Sequence, residues 1–174
     1  MRRPVDESRL RELMRLVAMA AREPGRIYLT GGATAVLRGW RISTVDVDIR
    51  IVPESAEVLR ALPDLKERLN LNIELASPAD FIPELPGWQD RSPFIAQEGK
   101  ISFHHYDFYA QCLAKIERGH RKDRRDIDDM IRDGLVDRGR LLELFERIEP
   151  ELYRYPAIDP PTFRRRVEAV TNAE

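Results

Sequence analysis

Apolar and polar residues recur along this chain with two different periods, and the switches between them mark its elements. Helical spacing comes first: Leu10, Leu13, Met14, Val17 and Ala21 predict an amphipathic helix over 6–22, ended by Pro24-Gly25. Ile27, Tyr28 and Leu29 read as a brief strand, Gly31-Gly32 as a tight turn, and the residues after them as a short helix. From Val45 to Val52 the period falls to two. Val45, Val47, Ile49 and Ile51 share one face there, and Asp46, Asp48 and Arg50 share the other. Helical spacing returns through Ala56, Val58, Leu59, Leu62 and Leu65, with Pro63 predicting a kink or a break into two pieces. Alternation then resumes over 71–75, setting Leu71, Ile73 and Leu75 opposite Asn72 and Glu74.

Beyond this point the punctuation changes. Pro83, Pro86, Gly87 and Trp88 lie in a stretch, 78–93, that reads as a loop with at most one helical turn. A hairpin around Glu98-Gly99 follows, over 94–97 and 100–106, and the adjacency of His104 and His105 in its second strand sends them to opposite faces and favours structural roles. The rest is helical: 107–118 with Phe108, Cys112, Leu113 and Ile116 inward, a helix from about Asp123, another over 137–148, and a last one over 162–170 after Pro156, Pro160 and Pro161. The predicted fold is α+β: a small mixed sheet flanked by helices over 1–106, and a C-terminal helical region over 107–174 packed on that core.

Composition narrows the function classes. Charged residues make up 34% of the chain at a net charge of -1, so no global field favours nucleic acid, and such a partner needs a local patch. The single cysteine, Cys112, excludes an intramolecular disulfide framework and fits a reducing cytoplasm. Acids at Asp6, Glu7 and Glu12 interrupt the N-terminal segment, which is no secretory signal, and no run is apolar enough to span a membrane. Arg164-Arg165-Arg166 could touch nucleic acid, but such a run on a terminal helix is usually a solvated face.

The chemistry concentrates between Tyr28 and Val52. Gly31 and Gly32 leave room for a ligand to approach the backbone, and a helix beginning there offers N–H groups and a positive dipole end to anionic oxygens such as those of a phosphate. Asp46 and Asp48, spaced i, i+2 on one strand face, lie roughly 7 Å apart at Cα, within the bridging reach of hard divalent cations. An exposed sheet edge whose aspartates discourage aggregation is the bland alternative.

A phosphate cradle followed by two same-face aspartates resembles the nucleotidyltransferase fold shared by DNA polymerase β, aminoglycoside nucleotidyltransferases and small bacterial toxin nucleotidyltransferases. The matching residues are Thr30-Gly31-Gly32 and Asp46-Val47-Asp48; Arg41 to Asp46 also looks like the approach to the metal strand in the toxin-like branch. A second anchor is Lys115 followed by Arg121-Lys122-Asp123 and Asp126, similar to the lysine and Arg-Lys-Asp-x-x-Asp of that branch. The resemblance implies nucleotidyl transfer with Mg²⁺ on Asp46 and Asp48. It implies a nucleoside triphosphate held by Gly31, Gly32, Thr34 and Lys115, with Asp126 at or beside the site. A third acid is expected on a later strand, and Glu74 is the candidate for metal ligand or base, with Asp80 and Asp90 as weaker rivals.

The implied acceptor is a tRNA or a protein, with an antitoxin as a possible partner. Two other readings stay open: a nucleotide- or partner-binding module without chemistry, and transfer to a small molecule such as an antibiotic. For the second anchor the bland alternatives are a solvated Lys115, a helix-capping Asp123, and an Asp126 paired with a neighbouring arginine.

Overall fold

A computed structural model describes all 174 residues. They form two compact units, Met1–Ser77 with Ser92–Tyr106, and Pro78–Arg91 with Asp107–Glu174.

The first unit is built on a five-stranded mixed sheet. Its elements are α1 (Glu7–Ala20), β1 (Gly25–Thr30), α2 (Gly31–Leu37), β2 (Asp46–Val52), α3 (Ala56–Leu69), β3 (Asn72–Leu75), β4 (Phe94–Glu98) and β5 (Ile101–His105). The strand order is β3-β2-β1-β5-β4. β1 runs antiparallel to β2 and parallel to β5; β2 and β3 are parallel, and β4–β5 is the expected hairpin. Period-two alternation gives the sheet one apolar face. Ile27, Leu29, Val47, Ile49, Ile73 and Phe103 are buried there with Leu10, Met14 and Val17 of α1 and Val58 and Leu62 of α3. This burial is the main stabilisation of the unit.

Pro63 does not break its helix. α3 runs unbroken through it, because buried Val58 before the proline and Leu65 after it share one apolar stripe, and packing of that stripe outweighs the lost backbone hydrogen bond. Asn70 ends α3 in the left-handed conformation, at φ 52°.

An N-terminal arm ties two distant loops of this unit. Val5 forms a two-way backbone bridge with Thr44, at 2.7 and 3.0 Å. Arg2 donates to the Lys66 carbonyl at 2.9 Å, the Arg3 amide to the Asn70 carbonyl at 3.2 Å, and Arg9 to the Leu69 carbonyl.

The second unit is helical: α4 (Phe108–Arg118), α5 (Asp123–Arg132), α6 (Arg138–Ile148) and α7 (Pro160–Thr171), with a 3₁₀ segment at Glu149–Arg154. Asp107, Asp137 and Asp159 cap α4, α6 and α7 through side-chain oxygens. Phe145 and Phe163 meet edge-to-face at 4.9 Å between α6 and α7. The stretch Pro78–Arg91, expected within the 1–106 core, groups with these helices. It buries Ile82, Leu85 and Trp88, and its Arg91 forks onto the Asp107 carboxylate at 2.7 and 3.2 Å. The arginine run of α7 is tied up locally, Arg164 pairing with Glu149 and Glu168 and Arg166 donating to the Glu117 carbonyl. No helix is long and apolar enough to cross a membrane.

Candidate functional site

The polar face of the sheet carries the acids. Register across three strands sets Thr30 of β1 opposite Asp48 of β2, and Asp48 opposite Glu74 of β3. The end of β1, where the chain turns into α2, therefore lies beside the middle acid. Gly31 sits at φ +61°, which L side chains rarely adopt, and a Cβ there would stand 3.3 Å from Asp48 Oδ2. Gly32 is required for space: a Cβ on it would come within 2.0 Å of Thr44 Oγ1 and 2.8 Å of Thr44 Cβ. Thr44 in turn donates its hydroxyl to the Asp46 carbonyl at 3.1 Å, so one side chain links the glycine turn to the start of the acidic strand.

Asp46 and Glu74 are exposed and Asp48 is half-buried. Asp46 and Glu74 share a neutral partner. The Asn72 carboxamide nitrogen donates to Asp46 Oδ1 at 2.6 Å and to Glu74 Oε1 at 2.9 Å. Neither acid is ion-paired. Further along the same face, Arg50 donates to the Tyr106 hydroxyl at 3.1 Å, and the Tyr106 ring meets Tyr28 edge-on at 6.0 Å.

Thr34 is not at the mouth of the glycine turn. It is fully buried, its hydroxyl donating to the Leu29 carbonyl at 3.2 Å and lying 3.0 Å from His105 Nδ1. With the hydroxyl proton on Leu29, the histidine bond is assigned as Nδ1–H donating to the threonine oxygen. Burial, and then the charges of Arg38, Arg11 and His104, lower the His105 pKa to about 4, so the ring is neutral at pH 7. Through these bonds Thr34, expected from the resemblance beside the nucleotide, pins α2 against β1 and β5. His104 is likewise structural, bonded to the Ser92 carbonyl and the Ser102 hydroxyl.

Lys115 and Asp126 belong to the helical unit, where both are buried. The Lys115 ammonium lies 2.9 Å from Asp126 Oδ2 and 3.3 Å from Asp123 Oδ1, and Arg118 holds Asp123 from the other side at 2.6 Å. Burial pushes the Asp123 carboxyl up, but the Arg118 hydrogen bonds and the neighbouring charges of Lys115 and Arg118 outweigh it and hold it below the ordinary range. The segment expected to face phosphate is thus an internally neutralised cluster.

The roles of Asn72 and Thr44 are absent from the sequence reading, which has His105 as structural but without its partner Thr34. Alternation alone sets Asn72 and Glu74 on one face, but the register that brings Asn72 to Asp46 is a tertiary fact.

Glycine turn, short helix and strand acids in register on one face of a mixed sheet define an α+β protein with carboxylates gathered at one sheet margin. The chain belongs to the family described as "nucleotidyltransferase of unknown function" (DUF6036), whose model matches residues 8–157. No curated protein and no solved structure matches it.

Proposed function

We propose that the chain is a Mg²⁺-dependent nucleotidyltransferase of the polymerase β-like superfamily, in its toxin-like branch, moving a nucleotide from a nucleoside triphosphate to a tRNA or protein acceptor. The observation that carries this is the register Thr30–Asp48–Glu74, which joins the glycine turn to three carboxylates on one sheet face. Their hard oxygens suit Mg²⁺. No group of three or more acids, histidines or cysteines is placed to hold a metal ion together, and Mg²⁺ is commonly held by one or two carboxylates with waters and substrate phosphates. Asp46 and Asp48 would hold it. The chemistry a bound ion would supply there is polarisation of the phosphoryl oxygens and neutralisation of charge on the leaving pyrophosphate.

The chain's own residues do the remainder. The turn at Gly31 and Gly32, set beside Asp48 by the pairing of β1 with β2, would bring the triphosphate to the acids and help to set the α-phosphorus in line for attack. Glu74 takes the acceptor hydroxyl's proton as its oxygen bonds to that phosphorus; the bond to the pyrophosphate oxygen breaks, and pyrophosphate leaves with the electron pair. Lys115 and Asp126 enter through the resemblance, and contact with a phosphate requires Lys115 to exchange a carboxylate partner for a phosphate oxygen. The toxin role adds an antitoxin as partner.

A second reading, nucleotide binding without transfer, draws on Asn72, whose amide already engages Asp46 and Glu74. Calorimetric titration of each nucleoside triphosphate with Mg²⁺ into the wild type and an Asp46→Ala, Asp48→Ala variant tests the proposal. Metal-dependent binding lost in the variant, with pyrophosphate released on adding bulk tRNA or protein, is the expected result. Binding with no pyrophosphate from any acceptor favours the module, and a folded wild type that binds no triphosphate overturns both. Expression in a host cell should arrest growth only while both aspartates are intact.

A further inference from the structure

We infer that Asn72 is a positioning residue of the metal site. It acts as a neutral fork that holds Asp46 and Glu74 together before any cation arrives, leaving Asp46 its other oxygen for coordination and Glu74 its other oxygen for the acceptor's proton.

The inference starts from the amide's two hydrogens. Asn72 is the cross-strand partner of Asp46, and Glu74 lies two residues further along the same strand, so all three side chains stand on one sheet face. A single nitrogen donates to both acids, at 2.6 and 2.9 Å. The orientation of the amide follows from its surroundings: rotated by half a turn it would set its carbonyl oxygen against two carboxylates. Neither acid has an ion-pair partner, so this amide is what offsets their repulsion. A charged residue here would either neutralise the pair, as Lys115 does for Asp123 and Asp126, or add a third negative charge. An asparagine does neither, and it directs the carboxylate planes by hydrogen bonds to one oxygen of each, as outer partners of metal ligands commonly do. β3 is a four-residue edge strand, so the fork also fastens Glu74 to the acidic strand at the sheet margin.

This rests on the assignment of Asp46 and Asp48 as cation ligands, and the test separates the two. Mn²⁺ affinity is read by electron paramagnetic resonance, alongside melting temperatures in chelator and in saturating Mn²⁺, for the wild type, Asn72→Ala and Asn72→Gln. Asn72→Ala should weaken Mn²⁺ binding roughly 10- to 100-fold. Asn72→Gln, which keeps the donor, should keep more of the affinity than Asn72→Ala. The rise in melting temperature on adding Mn²⁺ should be smaller in Asn72→Ala than in the wild type at the same Mn²⁺ concentration. Equal affinity in the wild type and both variants overturns the positioning role, as does tighter binding in Asn72→Ala, which would make the amide a competitor of the cation. No Mn²⁺ binding by a folded wild type overturns the ligand assignment itself.

Discussion

Two groups of acids in this chain have nearly the same composition and opposite environments. In the helical unit Asp123 and Asp126 are buried and carry their own cations, Lys115 and Arg118. On the sheet, Asp46 and Glu74 are exposed and share only a neutral amide. A carboxylate group with built-in cations is a cross-link, because taking it out of water is tolerable only with charges matched. One held by neutral donors at the surface keeps its negative field and stays receptive to a cation from solution. The difference sets a cluster that is neutralised from within apart from one that can still take up a cation.

The largest expected effect lies at the sheet acids. Asp46→Ala with Asp48→Ala should lower nucleotide transfer by roughly a thousandfold or more, the scale of losing a preorganised electrostatic group, as read by pyrophosphate release. Circular dichroism should remain native.

Lys115→Met should act the other way round, on folding. Removing the buried ammonium that faces Asp126 and Asp123 should cost about 3–5 kcal/mol in urea denaturation, and adding Asp126→Leu should recover part of that loss. An unchanged urea midpoint with lost triphosphate binding would reverse the contrast and make Lys115 a ligand contact.

A third test uses a buried group of the sheet unit that carries no charge. His105 has its folded pKa depressed to about 4 from 6.5, so the unfolded chain takes up the proton first. The associated stability is full above about pH 6.5 and is lost as pH falls toward 4, about 3 kcal/mol in all. In His105→Gln, denaturation midpoints measured across that window should fall less steeply with acid than in the wild type.

The smallest effect concerns the turn. Gly32→Ala should cost about 1–3 kcal/mol through the Thr44 clash, and Thr44→Gly should relieve it. A neutral Gly32→Ala would show that the loop over the turn yields readily.

The alternation from Val45 to Val52 was enough to place Asp46 and Asp48 on the polar face, and the glycine pair to mark the turn, because both depend on local backbone geometry. Helical stripes likewise located α1, α3 and α4. Register and burial were out of reach. Thr34 shows why: a threonine one turn into a helix after a glycine pair has the same local pattern whether its hydroxyl faces a ligand or a buried histidine 71 positions away. Lys115 near the margin of an apolar stripe is similarly ambiguous, until α5 is known to bring two carboxylates to it. Pro63 was misleading for a related reason, since a local breaker was outweighed by packing along the whole of α3.

The opening residues act as a strap. Val5 grips the loop that crowds Gly32, while Arg2, Arg3 and Arg9 grip the turn that launches the strand of Asn72 and Glu74. A shortened chain starting at Leu10 would retain every glycine and acid of the site yet lose the brace that spaces them. Proteolytic trimming of those nine residues would then loosen the candidate site without touching one of its glycines or acids.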